Sequence, residues 1–303
     1  MKPFHFSFKS NSIRFLITAL FCFILFSSTA LASDAPTEDE GKVDIIDKVV
    51  DHHYVDFYFL GKLPLPHFAP VTIGGITFDF SITKSLFMMM LSSLLLVIVL
   101  SAAASSNTKN RVPKKLGNMI ETLIVFVRDE IVVPSMGQSG VKMLPFFLTI
   151  FFFILFANLF GLFPFMAQPT KNINVTAALA LIVFFTVQAK GIKQNGFIGY
   201  FKGLVPHGIP VFVLPIMIII EFIGLFIKPF SLMIRLFANI TAGSIIVLSL
   251  IGLIFIMGYA GIVIAVPFTL FIYILELFVA VLQAYIFTML AVLYVNMAEH
   301  QEH

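Results

Sequence analysis

Between residues 211 and 298 the sequence holds only four charged side chains, Glu221, Lys228, Arg235 and Glu276. Almost everything around them is Leu, Ile, Val, Phe, Met, Ala or Gly. These residue types suggest one kind of chemistry. Carboxylates take up and release protons, whereas an arginine keeps its charge in any protein setting. A charge at mid-membrane costs about 2.5–3.5 kcal/mol on insertion scales. Four charges, plus the polar Asn239 and Gln283, are too expensive to be accidental. Intramembrane carboxylates beside a fixed cation mark a proton or ion path. The plainer alternative is a structural ion pair, Arg235–Glu276, that packs two helices together. For Lys228 the plainer role is favoured, because a lysine can extend along apolar surface to reach water.

The spacing supports a path. Glu221, Lys228 and Arg235 follow one another at seven-residue intervals, so they share one helix face. Gly224, Ser231, Asn239 and Ala242 fall along the same stripe. Further on, Glu276 and Gln283 are also seven apart, with Tyr273, Ala280 and Ala284 beside them. Each helix therefore presents one small, polar face, and the rest of its surface is apolar.

The elements that position these residues must lie in a bilayer. Of the 303 residues, 59% are hydrophobic and 12% charged, against about 45–50% and about 25% in soluble domains. The composition predicts an all-α polytopic membrane protein. A net charge of +3 with no basic run gives no support to nucleic-acid binding. His52, His53 and His67 lack metal-ligand spacing and read as surface histidines, so neither a metal nor a cofactor is expected.

Residues 1–32 have the layout of a secretory signal peptide. A basic "MKPFHFSFKSNSIR" precedes an apolar "FLITALFCFILF", and Ala30-Leu31-Ala32 supplies the small residues at the cut. Cleavage would place the mature N-terminus in the periplasm and remove Cys22, the only cysteine. Residues 33–80 read as a small external segment, with a hairpin expected at "TIGGITFDF". Residues 81–303 form the membrane domain.

Within that domain, residues 86–104 make the first span, and the cluster Lys109, Arg111, Lys114 and Lys115 after it belongs on the cytoplasmic side. Pro113 then opens an amphipathic stretch with Leu116, Ile120, Leu123, Ile124, Val127 and Ile131 on one face, expected to lie in the interface. Residues 143–166 cross outward and include Asn158. "AQPTKNINVT" turns, residues 177–189 return, and Lys190, Lys193 and Lys202 again mark the cytoplasm. Residues 211–257 would make a helix roughly 70 Å long and residues 262–298 one of roughly 55 Å, against a hydrocarbon core of about 30 Å. Either both helices are steeply tilted or they break, with Pro229 and Pro267 as candidate break points. "GYAG" at residues 258–261 reads as the turn between them. The expected architecture is five to six helices: two long, steeply tilted ones in a hairpin, an interfacial amphipathic helix, and the small N-terminal segment. The expected setting is a bacterial inner membrane, with the C-terminus in the cytoplasm.

Four stretches carry a resemblance. "KPFSLMIRLFANITAGSII" with "LQAYIFTMLAVLYVNMAEH", and "NLFGLFP" with "PTKNINVT", resemble subunit a of the F-type ATP synthase over roughly residues 85–300. The resemblance implies a proton-translocating stator that offers two offset half-channels to a rotating c-subunit ring. Its partners would be that ring, the b-subunit peripheral stalk, the catalytic head reached through the stalks, and the lipid bilayer. Arg235 matches the family's essential arginine, Asn239 the asparagine after it, and Gln283 the glutamine of the last helix. Glu221 matches a carboxylate of the cytoplasmic half-channel. Glu276 and Ser244 stand where some members carry His and Glu. Asn158 matches a family asparagine, while Gly161 stands where some members have Asp, a departure in the outer lining. The subunit would have no catalytic site of its own, and no phosphate-binding glycine loop is found.

The proton-path residues so identified are Arg235, Glu276, Glu221, Gln283, Asn239, Ser244, Asn158 and Ser231. A rotor carboxylate could face lipid only when protonated and could ionise opposite Arg235, since a nearby cation favours the charged form. Two rival readings remain. A secondary ion transporter suits broken helices and mid-membrane charges, but the internal repeat it would usually show is not found. A structural scaffold leaves the two carboxylates on polar stripes unexplained.

Overall fold

The computed structural model describes residues 54–57, 61–66, 71–73, 76–78, 81–110, 116–163, 166–203 and 212–299. The expected signal peptide, the three histidines, and Arg111 to Lys115 with Pro113 lie outside these residues.

Two short antiparallel hairpins precede the helices. Strand β1 (Tyr54–Phe57) pairs with β2 (Gly61–Pro64), and β3 (Val71–Ile73) pairs with β4 (Ile76–Phe78). The second is the hairpin expected from the alternation around Gly74-Gly75. Helix α1 (Lys84–Asn110) follows. Helix α2 (Leu116–Phe126) then runs through a π turn (Val127–Val132), a short α3 (Val133–Met136) and a 3-10 turn (Gly137–Met143). Ile120, Val127 and Ile131 are buried along this stretch, as its apolar periodicity requires, whereas Leu116 at its first position is exposed.

Helix α4 (Leu144–Phe160) is the centre of the bundle. It is apolar all round, and a helix of that kind is stable only when covered on every side. Phe147, Phe151 and Ile154 are fully buried where α4 packs against α1 and the last helix. Helix α5 (Ile173–Asn195) begins four residues before the apolar run, because Asn172 caps it: its side chain accepts a hydrogen bond from the backbone N–H of Asn174 at 2.9 Å. That start gives the returning helix a full span's length. A short α6 (Phe197–Gly203) follows.

Helices α7 (Leu214–Met257) and α8 (Tyr259–Glu299) are unbroken over 44 and 41 residues, through Pro229 and Pro267. At 1.5 Å per residue they are about 66 and about 60 Å long, twice the hydrocarbon thickness. Both are apolar along most of their length, so they must be steeply tilted to stay within the bilayer. They form a hairpin about Gly258, which has φ +56° and whose N–H closes the end of α7 on the carbonyl of Ile254 at 2.9 Å. Only glycine adopts that conformation without strain. Gly261 is needed too, since a Cβ there would lie 2.8 Å from the carbonyl oxygen of Leu253.

At the far end of the hairpin, α8 is tied to α5. Lys190 Nζ lies 3.5 Å from Glu299 Oε1, and Asn195 Nδ2 donates to the carbonyl of Ala298 at 3.0 Å. The C-terminal ends of α5 and α8 therefore lie on the same side of the bundle. Five segments of the described residues are long and apolar enough to cross a membrane.

Candidate functional site

The polar stripe of α7 orders three groups of residues along the hairpin. Glu221 and Arg235 are about 21 Å apart along the axis, and Gly243 lies about 12 Å beyond Arg235.

The first group surrounds a cavity of about 230 Å³ between α5, α6, α7 and α8. Glu221 and Lys228 both line it, with Gln188 of α5, Tyr200 of α6 and Tyr294 of α8. Lys228 Nζ sits 5.8 Å from the centroid of the Tyr294 ring, within cation–π range. Burial pushes the Tyr200 phenol above its ordinary pKa, against a hydrogen bond to Gln188. Gly191 makes room for that ring, because a Cβ there would strike it. Ser231 follows on the same stripe, half-buried.

The second group is Arg235, Asn239 and Gln283. Asn239 Nδ2 donates to Gln283 Oε1 at 2.9 Å, a bond between α7 and α8. Gln283 is 1% exposed, and its Nε2 has no hydrogen-bond partner among the described residues. Leu232, Leu236 and Ile240 bury the adjoining side of α7, which leaves Arg235 half-buried at its edge. Among the described residues Arg235 forms no ion pair, so the structure does not contain the Arg235–Glu276 pair that the sequence allowed as a packing device.

Glu276 belongs to the third group. Its carboxylate lies over Gly243, where a Cβ would collide with Oε1. Ser244 is buried beside it and donates from Oγ to the carbonyl of Ile240 at 2.9 Å. The turn Pro169–Lys171 packs against α1, α4, α5 and α7 at the same end. Its Thr170 Oγ1 donates to Asn158 Oδ1 at 2.8 Å, and Gln168 Nε2 donates to the backbone carbonyl of Asn158 at 3.4 Å. Asn158 Nδ2 and Gln168 Oε1 are buried with no hydrogen-bond partner among the described residues. The Gln168 side chain occupies the space that a side chain at Gly161 would need. That explains the departure at Gly161: a larger residue there would expel Gln168.

Sequence reasoning did not single out Gln168, Thr170 or Lys171. Their only signal is the stretch "AQPTKNINVT", which the sequence presents as an external turn. Lys84, at the start of α1, was missed as well.

The fold and this stripe define a class: a helical membrane protein in which a long two-helix hairpin holds a lone arginine between two separate carboxylate sites. The family model described as ATP synthase A chain matches residues 86–296. The chain is 43% identical over 270 residues to ATP synthase subunit a of Chloroherpeton thalassium, covering 88% of this chain and 79% of that protein. It is 42% identical to the subunit a of Pelodictyon phaeoclathratiforme, covering 91% and 83%. With the Myxococcus xanthus subunit it shares 45% identity, over 74% and 75%. The chain belongs to the ATP synthase subunit a family.

Proposed function

We propose that this chain is the proton-translocating stator of a rotary F-type ATP synthase, with two offset half-channels that meet the rotor on either side of Arg235. The observation that carries this reading is the order along the hairpin: the Glu221 cavity, then Arg235 without an ion-pair partner among the described residues, then Glu276 over Gly243. In this reading the cavity opens to the cytoplasm and the Glu276 group to the periplasm. Lys190 and Lys193 at the α5 end support the sidedness, because α8 ends beside them.

The physical roles follow. Arg235 holds one positive charge at a fixed depth, so a rotor carboxylate passing it ionises and releases its proton to one side. Because the arginine keeps its own proton, no proton crosses directly between the half-channels. Each proton must ride the ring, delivering about 2.3 kcal/mol per 100 mV of potential. Asn239 and Gln283 join the two helices beside Arg235, while Asn158, Gln168 and Ser244 line the outer path. The amides Asn158 Nδ2 and Gln283 Nε2, buried without hydrogen-bond partners among the described residues, suit a water-lined route better than a dry packed core. The subunit itself performs no ATP chemistry; its partners are the c-ring, the peripheral stalk and, through the stalks, the catalytic head. The segment before α1 lies in the periplasm of a bacterial inner membrane, after removal of a signal peptide.

The test is cross-linking. Ile234 is 37% exposed beside Arg235. An Ile234→Cys variant should cross-link to the small ring subunit in native membranes. Purification through this chain without any oligomeric ring, and without a cross-link, would refute the reading.

A further inference from the structure

We propose that Lys171 is the charge gate of the outer half-channel: its ammonium group is the countercharge that lets Glu276 ionise and pass its proton on. The proposal rests on the stator reading above and deepens it.

The placement supports this. Lys171 ends the turn Pro169–Lys171, whose Pro169 and Thr170 are buried, and the turn is wedged among α1, α4, α5 and α7. It is therefore a fixed structural element, pinned through Thr170 to Asn158 on the central helix. Two charged side chains act on Lys171 among the described residues, Glu276 of α8 and Lys84 of α1. Helix α4 has no charged residue at all; those of α5, and Glu221 and Lys228 of α7, lie toward the other end of the bundle, while Arg235 of α7 sits at mid-helix, about 12 Å along the axis from Gly243. Lys171 and Glu276 interact electrostatically yet lie beyond the 4.0 Å of a direct ion pair. That separation matters, since a direct pair would lock the carboxylate, whereas a cation at a distance supports its charged form and leaves it free to move.

The cation is also switchable. Burial lowers the Lys171 pKa to about 8, with Glu276 opposing and Lys84 assisting the fall. Below that value the gate is charged, and above it the gate is neutral. Losing the charge withdraws support from the Glu276 anion, so the outer hand-off slows as the outer pH rises through about 8.

The experiment uses the whole complex in vesicles, with the catalytic head outward and the lumen buffered on either side of about 8. ATP-driven proton pumping is measured for wild type, Lys171→Gln and Lys171→Arg, with Arg235→Ala as a control. Wild type should slow across that range. Lys171→Gln should lose the step and run about tenfold slower at neutral pH, the factor equivalent to one pKa unit. Lys171→Arg should restore the neutral rate and also lose the step, because arginine stays charged; it keeps the test open if the Gln variant fails to assemble. A Lys171→Gln complex with both the wild-type neutral rate and the wild-type step overturns the gate. So does a step that persists in Lys171→Arg. Pumping that survives Arg235→Ala would overturn the stator reading instead, so the two failures are distinguishable.

Discussion

Asn239 of α7 and Gln283 of α8 are joined by a hydrogen bond of 2.9 Å, one helical turn beyond Arg235. It ties together the two polar faces on which the site depends. Interhelical hydrogen bonds in membranes average about 0.6 kcal/mol and reach about 1.7 kcal/mol. A double-mutant cycle on Asn239→Ala and Gln283→Ala should therefore show a small positive coupling in the thermal stability of the solubilised complex. Pumping should fall much further than stability does. Strict additivity of the two substitutions, in both readouts, would mean the bond has no role.

Glu276→Gln separates the two roles the sequence left open. Removing one partner of a buried ion pair typically costs about 3–5 kcal/mol. No direct Arg235–Glu276 pair is present, so assembly should be normal and proton pumping slow, because an amide cannot titrate. Ser244→Glu or Ser244→His in that background should restore part of the rate, since Ser244 adjoins Gly243, over which the carboxylate lies. The comparison is membrane levels of the complex beside ATP-driven pumping, and wild-type pumping in Glu276→Gln excludes the relay.

Gly243→Ala tests the same contact from the other helix. The added Cβ meets the end of a flexible side chain, so the carboxylate moves and the helices need not. Pumping should drop while complex levels stay unchanged. In a Glu276→Ala background, Gly243→Ala should have no further effect. A large drop there would mean that helix packing, not carboxylate position, explains the glycine.

The stripes of Glu221, Arg235 and Glu276 were legible in the sequence because helical periodicity fixes which residues share a face once the helix exists. The unbroken course of α7 through Pro229 was not. A proline removes one backbone hydrogen bond, and whether a membrane helix continues past it depends on neighbours that re-satisfy the freed groups. Such neighbours are a tertiary fact. Gln168, Thr170 and Lys171 were obscure for a related reason. They sit on a short turn, which has no periodicity, and they become site residues only because the turn folds inward against α4 and α7. The missing Arg235–Glu276 pair makes the same point, since spacing along each helix sets depth but not which side chains meet across the hairpin.

The signal peptide is checked by N-terminal sequencing of the membrane-embedded chain, which should begin after Ala32. An intact Met1 would add a crossing or reverse the assigned sidedness.

The central claim is that the fixed charge of Arg235 separates two half-channels. It is tested most directly by ATP-driven proton pumping in vesicles reconstituted with Arg235→Ala complex, with insertion verified by the amount of subunit in the membrane. The account predicts a normally inserted subunit with no coupled pumping, and failure or severe impairment for Arg235→Lys, whose ammonium has a different reach and sheds its proton more readily when buried. Coupled pumping by the Arg235→Ala complex would contradict it.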